Sequence, residues 1–457
     1  MKPNAKCALL LLLAVSGPVL AQAQISRFQH VVVIFQENRT PDNLFQGLCG
    51  TNRTLCPVPY DLQDFGLDKE GKKVPLAKQP LGSSFNPDHS HRGFVEQCNL
   101  DPRTNQCRMD GLDGSGCPNN CSFQYVDPND VSPYITMAQQ YGWANFMFQT
   151  NQGPSFPAHQ FIFGGTSAPD ANSDRQGIFA AENTNGGTGC AAPPTAKVAV
   201  IRRPGIGRKG DTIFPCFEHN TIPDILPPNV TWRYYAPDGG SIWTAPNAIA
   251  HICGASRGAC KGSEWVRNVD LNPNDVLNDI ASCNLQGVSW VIPSRENSDH
   301  AGGANSGGPS WVASIVNAIG NSTRCDSGAG YWHDTAILLA WDDWGGFYDH
   351  EPPMILPLPV GDYQYGFRVP LVVISAYTTP AYVDNRPYDF GSVLRFVEHN
   401  FEIREGELTF ADQRATNDLT SFFNLNRTPR PFVPIRAPKD VQYFLNDNTP
   451  PTGPDDD

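Results

Sequence analysis

The chain has 457 residues, 40% of them hydrophobic and 17% charged, with a formal net charge of −13. That length and apolar content are enough for a sizeable core and exclude disorder as the default state. The acidic balance excludes a broad nucleic-acid or anionic-membrane surface and leaves room only for a local basic pocket.

At the N-terminus, Lys2 and Lys6, the apolar run Ala8–Val15 and the small-x-small pattern Ala21-Gln22-Ala23 read as a signal peptide over residues 1–23. The chain is therefore expected to be secreted or periplasmic, and loss of the two lysines moves its charge to −15. That apolar run is too short to span a bilayer and no other stretch is long enough, so no stable membrane insertion is expected. Twelve cysteines remain once Cys7 is removed, and an even number in an exported chain reads as disulfides. Neighbours such as Cys49 with Cys56 and Cys253 with Cys260 suggest themselves as pairs. The spacing Cys117-x-x-x-Cys121 also has a zinc reading, which an oxidising compartment disfavours.

The first strand is the continuous apolar run His30–Phe35, which delivers Glu37 and Asn38 at its end. Regions 49–130 and 168–215 are rich in Gly, Pro, Asn and Cys and read as long loops stapled by disulfides. A helix over Ser132–Tyr141 leads into a strand over Trp143–Phe148. Gly153-Pro154 then makes a turn, with Ser155 at a helix N-cap and Pro157 in the first turn. A hydroxyl there faces backbone N–H groups that favour an anion such as phosphate, although by itself it also reads as a plain cap. Further strands are expected at Thr231–Tyr235, Val288–Ile292, Thr335–Trp341 and Val369–Ser375, and helices at Trp311–Ile319 and Ser392–Phe401. The strand Thr335–Trp341 runs directly into Asp342, Asp343, a glycine turn and His350. From residue 428 to 457 the chain is proline-rich and reads as a surface strap and tail beyond one catalytic unit over 24–427.

Alternating strands and helices imply an α/β fold with a mostly parallel sheet flanked by helices. In such sheets ligands bind where strands end at their carboxyl termini. Two buried strands that discharge Glu37, Asn38, Asp342 and Asp343 there make a cation site, since adjacent buried carboxylates need a countercharge. Taken singly, either segment also reads as an ordinary turn, because Asp, Asn and Gly all favour turns.

The blocks HVVVIFQENRTPDNLFQG, NPDHSHRGF with CRMDG, GPSFPAH, IPSRENSDH, WHDTAILLAWDDWGGFYDHEPP, GFRVPLVVISAY and SVLRFVEHNF together resemble the bacterial phosphoesterase family of phospholipases C and secreted acid phosphatases. The match covers roughly residues 28–425 in the family's order. It implies an alkaline-phosphatase-like fold and one divalent metal ion held by Glu37, Asn38, Ser155, Asp342 and Asp343. It further implies that Ser155 is the nucleophile and that His89, His300 and His350 line a phosphate pocket. His350, tied by a short turn to the aspartate pair, has the strongest claim to donate a proton or clamp phosphate. Arg39 reads as a structural or phosphate-side charge, and His91 and His159 as packed or surface residues.

Many phospholipase members carry threonine in a G-P-T-x-P-N-R segment, whereas Ser155, Ala158 and His159 stand here, closer to the acid-phosphatase branch. The match also runs close to the end of the chain, without the C-terminal modules of longer phospholipases. The expected activity is hydrolysis of phosphomonoesters through a phosphoserine. The alternatives are a phospholipase C releasing a phosphorylated headgroup and a non-catalytic binding protein of the same fold. Lipid cleavage would need exposed apolar loops, for which Phe347, Tyr348, Trp344 and Trp311 are the candidates unless they are core. Oxygen ligands suit Mg²⁺, Ca²⁺ or Mn²⁺, and carboxylates also accept iron or zinc, so the metal's identity stays open.

Overall fold

Continuous apolar runs must be covered on both faces, and here helices cover both sides of a central sheet. The computed structural model describes residues 26–454 apart from 51–55, 57–58, 84, 113–120, 203–210, 257, 303–305 and 359–361, so the expected signal peptide lies outside the described residues. The sheet is built from His30–Gln36 (β1), Gly142–Met147 (β2), Trp232–Tyr235 (β3), Val269–Asp270 (β4), Val288–Val291 (β5), Thr335–Trp341 (β6), Leu371–Ile374 (β7) and Tyr382–Tyr388 (β8). Their spatial order is β4-β3-β5-β1-β6-β7-β2-β8. β1 lies parallel between β5 and β6, and β3 is parallel to β4 and β5. Only β7 is reversed against both neighbours, and β8 returns parallel to β2. The mostly parallel sheet expected from the alternation is present, with one antiparallel insertion.

Every residue of β1 and β6 is buried. They pair in register from His30 opposite Thr335 to Gln36 opposite Trp341. The apolar runs foresaw six of the eight strands, with ends displaced by two residues at most. β4 has only two residues, and β8 (YVDNRPY) carries no apolar run. A proline is tolerated in β8 because it is an edge strand with a register shift between Asp384 and Pro387.

Among the helices, His91–Cys98 (α1) starts at the N-cap Ser90, whose side chain accepts from Gly93 N. Ser132–Gln140 (α2), Ser155–Gly164 (α3), Gly308–Asn321 (α4) and Phe390–Asn400 (α5) follow. α4 starts three residues before the expected Trp311, because Pro309 is favourable in a first turn. Asp389 and Ser392 form a reciprocal capping box that starts α5.

Disulfides join Cys49 to Cys56, Cys98 to Cys107, Cys190 to Cys216, Cys253 to Cys260 and Cys283 to Cys325. Cys121 is also disulfide-bonded, which removes the zinc reading of its segment. Toward the C-terminus, Asn317 and Ile435 exchange two hydrogen bonds of 2.9 and 2.8 Å, and Phe444 is buried. Among the described residues no helix is long and apolar enough to cross a membrane.

Candidate active site

β1 and β6 end side by side, so the residues that follow them are neighbours. The backbone N–H of Asn38 donates to Asp342 Oδ1 at 2.8 Å, joining the two strand ends directly. Asn38 adopts a left-handed backbone (φ 58), which asparagine tolerates better than most residues. Opposite it, Gly345 has φ 64, and a Cβ there would lie 2.4 Å from Asn38 O. The glycine turn after the aspartates is thus required by close approach as well as by conformation. Gly345 N donates to Asp343 Oδ1 at 2.7 Å and fixes that carboxylate.

Ser155 is the first residue of α3, and Pro154 occupies the N-cap in an extended conformation. The expected capping role is therefore corrected, since the Ser155 hydroxyl makes no cap bond. Instead Oγ donates towards Glu37 Oε2 and Asp343 Oδ2, each at 3.4 Å. The carboxylates of Glu37, Asp342 and Asp343 and the hydroxyl of Ser155 are all fully buried.

His159 joins this group although its sequence context suggested only a packed or surface residue. Its Nε2 lies 3.1 Å from Glu37 Oε1, and ligand atoms of Glu37, His159 and Asp342 all fall within 4.8 Å of one another. The signal was its spacing: a residue four after Ser155 shares the same face of a helix. Burial holds the imidazole down at about 4, against the opposing pull of Asp342, so it is neutral at physiological pH. Tyr234 donates to Trp243 O at 2.8 Å, so His159 Nδ1–H is the donor in its 3.3 Å contact with Tyr234 Oη. The lone pair of Nε2 then faces Glu37.

These donors fit a cation. Among the described residues, Asn38 Oδ1 and Asp342 Oδ2 are buried without a hydrogen-bond partner. Arg39, next in sequence, does not neutralise the group. Its guanidinium donates to the Asp299, Leu81 and Asn43 oxygens and lies 4.8 Å from the Phe347 ring. Arg39 is thus a buried structural charge, and burial brings its pKa down to about 10 despite Asp299. Buried carboxylates around one hydroxyl, with an acceptor oxygen left over on each strand end, are stable only with positive charge between them.

His89 sits on the Asn38 side, with Nε2 3.1 Å from Asn38 Nδ2 and Nδ1 2.9 Å from Pro87 O. His300 stacks edge-on to it at 5.8 Å between ring centroids, and its Nδ1 lies 2.5 Å from Ala301 O. In both rings the Nδ1 proton is committed to a carbonyl; His89 Nε2 then accepts from Asn38 Nδ2, so proton exchange with a ligand would run through Nε2 of His300. A cavity of about 610 Å³ opens beside His89, lined also by Asp88, Pro154, Glu182, Asn183 and Lys197 among others. Asn183 also accepts from Phe156 N at 2.9 Å, tying the cavity wall to the start of α3.

His350 is placed differently. Its Nδ1 lies 2.7 Å from Asp42 Oδ2 and its Nε2 3.4 Å from Asp61 Oδ1. Arg368, itself fully buried, completes this partly buried cluster, 2.7 Å from Asp349 Oδ1 and 3.0 Å from Asp61 Oδ2. Burial alone would lower the His350 pKa, but Asp42 and Asp61 outweigh it and hold it up at about 10. Both ring nitrogens face carboxylates, which leaves neither for a phosphate oxygen. The cluster joins Asp42, in the segment after β1, to Asp349 and His350, in the segment after β6. Phe347, Tyr348, Trp344 and Trp311 are all buried, so the aromatic candidates for a lipid surface are core.

Residues 28–404, most of the chain, match the Phosphoesterase family. The chain belongs to that family. It is similar to the hemolytic phospholipase C of Pseudomonas aeruginosa, with 24% identity over 89% of this chain and 57% of that protein. It is similar also to phospholipase C B of Mycobacterium tuberculosis, at 28% identity over 92% of this chain and 84% of the relative. The chain spans less than two thirds of its Pseudomonas relatives, 57% of the hemolytic and 60% of the non-hemolytic phospholipase C. Among solved structures, it resembles a protein in the alkaline phosphatase superfamily from Vibrio parahaemolyticus (TM-score 0.35, 11% identity, 82% of this chain and 67% of that one).

Proposed function

We propose that this member of the family is an exported, metal-dependent hydrolase of phosphomonoesters that works through a phosphoserine at Ser155. The observation that carries this reading is the Ser155 hydroxyl at the start of a helix, 3.4 Å from two buried carboxylates beside unpartnered oxygens of Asn38 and Asp342. Glu37, Asn38, Asp342 and Asp343 with Ser155 would hold one divalent cation, and His159 would bind or orient beside Glu37. When bound, that cation supplies Lewis acidity and positive charge to the serine and the phosphoryl group.

The chain's own residues do the rest. Glu37 and Asp343 orient Ser155 Oγ, whose proton passes to one of these two carboxylates as Oγ forms the bond to phosphorus and the ester's P–O bond breaks. The departing alkoxide takes the Nε2 proton of a His300 imidazolium, and the Nε2 left neutral later removes a proton from the water whose attack releases inorganic phosphate, while Ser155 Oγ recovers its own proton from the carboxylate. His350 has a positioning role in this reading, through the ion pairs that hold the two ligand-bearing turns together.

A phospholipase C activity is the second reading, favoured by the names of the relatives. The burial of the four aromatic candidates supports the monoester reading over it. The test is hydrolysis of p-nitrophenyl phosphate, sugar phosphates and phosphatidylcholine by one metal-loaded preparation, with Ser155→Ala as control. Monoester turnover at least a hundredfold above lipid turnover is expected, with acid-stable phosphate trapped on Ser155. A preference for phosphatidylcholine would transfer the assignment to the phospholipase.

A further inference from the structure

A second group of metal-ligating side chains lies at the opposite end of the same two strands. Asp334, which precedes β6, is 3% exposed, and among the described residues neither of its carboxylate oxygens has a hydrogen-bond partner. The adjacent His333 reaches only to 3.6 Å from Oδ2. Asp326 Oδ2 is likewise buried without a hydrogen bond, 4.0 Å from Nε2 of His30, the first residue of β1. Ligand atoms of His30, Asp326 and Asp334 all lie within 4.8 Å of one another.

The imidazole is oriented for coordination. Its Nδ1 lies 2.9 Å from Gln286 O, and a carbonyl only accepts, so Nδ1 carries the proton and a neutral ring turns the Nε2 lone pair towards the carboxylates. Tyr331 packs edge-on against the ring at 4.8 Å and holds it there. Asp326 adopts a left-handed backbone (φ 47) next to the Cys283–Cys325 bridge, which anchors its loop.

We propose that His30, Asp326 and Asp334 form a structural divalent-cation site separate from the one around Ser155. At about 3.3 Å per residue along β1, the two sites stand roughly 20 Å apart. One imidazole nitrogen with two carboxylates is a donor set for zinc or a similar first-row ion rather than for calcium or magnesium. The ion would tie the start of β1 to the segment that leads into β6, the pair of strands that carries Glu37 and Asp342. The rival arrangement is a metal-free ion pair in which a His30 imidazolium compensates the two aspartates.

The full chain, stripped of metal, would be titrated with Zn²⁺ by calorimetry as wild type, Asp343→Asn and Asp326→Asn. Asparagine tolerates the left-handed conformation at 326, and His30→Gln provides a second variant if that protein does not fold. The proposal requires a zinc equivalent that Asp343→Asn retains and Asp326→Asn or His30→Gln loses. Its binding to Asp343→Asn should raise Tm by about 2 °C or more. No such equivalent in Asp343→Asn, or its persistence in both Asp326→Asn and His30→Gln, overturns the site in favour of the ion pair.

Discussion

His350 makes a pH-dependent contribution to stability whose size follows from its surroundings. Its pKa stands at about 10 in the folded protein, because Asp42 and Asp61 overcome the opposing effect of burial. In the unfolded chain an ordinary histidine titrates near 6.5. A raised pKa stabilises fully below the unfolded value, and the contribution is lost as pH climbs towards the folded value. Linkage gives about 5 kcal/mol at pH 6, about 3 at pH 8 and less than 1 at pH 10, a slope of about 1.4 kcal/mol per pH unit through the middle of the range. Asp299, pushed up to about 7 by burial, and Glu398, pushed up to about 9 by burial and Asp412, add slopes of the same sign. The diagnostic is therefore a difference. Urea unfolding followed by tryptophan fluorescence, on wild type and His350→Gln at pH 6, 8 and 10, should show a stability gap that shrinks by several kcal/mol across the series. A gap independent of pH would refute the charged, carboxylate-held imidazole.

Ser155→Ala should reduce turnover by several orders of magnitude while most metal binding and the fold persist, and residual activity within tenfold of wild type would sink the nucleophile assignment. Asp343→Asn should lower metal content and hydrolysis rate together, with partial rescue by excess metal; wild-type values for both would return the aspartate pair to an ordinary turn. His159→Gln should weaken metal affinity by about 10- to 100-fold and recover most of its rate at saturating metal, and an unchanged affinity would make His159 a packing residue after all. The Cys283–Cys325 bridge closes a 42-residue separation and Cys49–Cys56 a 7-residue one. In the chain-entropy picture they contribute about 4 and about 2.4 kcal/mol, so removal of the longer bridge as a double Ser variant should cost more in denaturant unfolding.

The parts of the molecule legible in sequence were those with an apolar run and a change of character at its end. β1 and β6 are such runs, and the acids that follow them could be read as neighbours once both strands were put in one parallel sheet. β8 escaped because an edge strand half open to water needs no continuous apolar face, and its pairing with β2 depends on the fold being in place. The proximity of Ser155 to both carboxylates has no local signature; it follows from packing α3 against the ends of β1 and β6. His350 misleads in sequence for a related reason. Closeness along the chain to Asp342 and Asp343 suggests a shared pocket, yet the intervening glycine turn reverses direction and delivers the ring to Asp42 and Asp61.

The level pairing of β1 with β6 has a consequence for how this protein can change over generations. Loss or gain of one residue within either strand would shift a carboxylate by about 3.3 Å along the sheet and turn the remaining side chains to the opposite face. Neither fault can be repaired by a neighbouring substitution, because both faces are filled and the partner acid arrives on a strand encoded some three hundred residues away. Insertions and deletions should therefore accumulate in the disulfide-stapled loops, where cavity shape and substrate preference can drift, while the distances from His30 to Glu37 and from Thr335 to Asp342 stay fixed in length. Variation in what such a protein cleaves and constancy in how it cleaves would then be written into different stretches of the same gene.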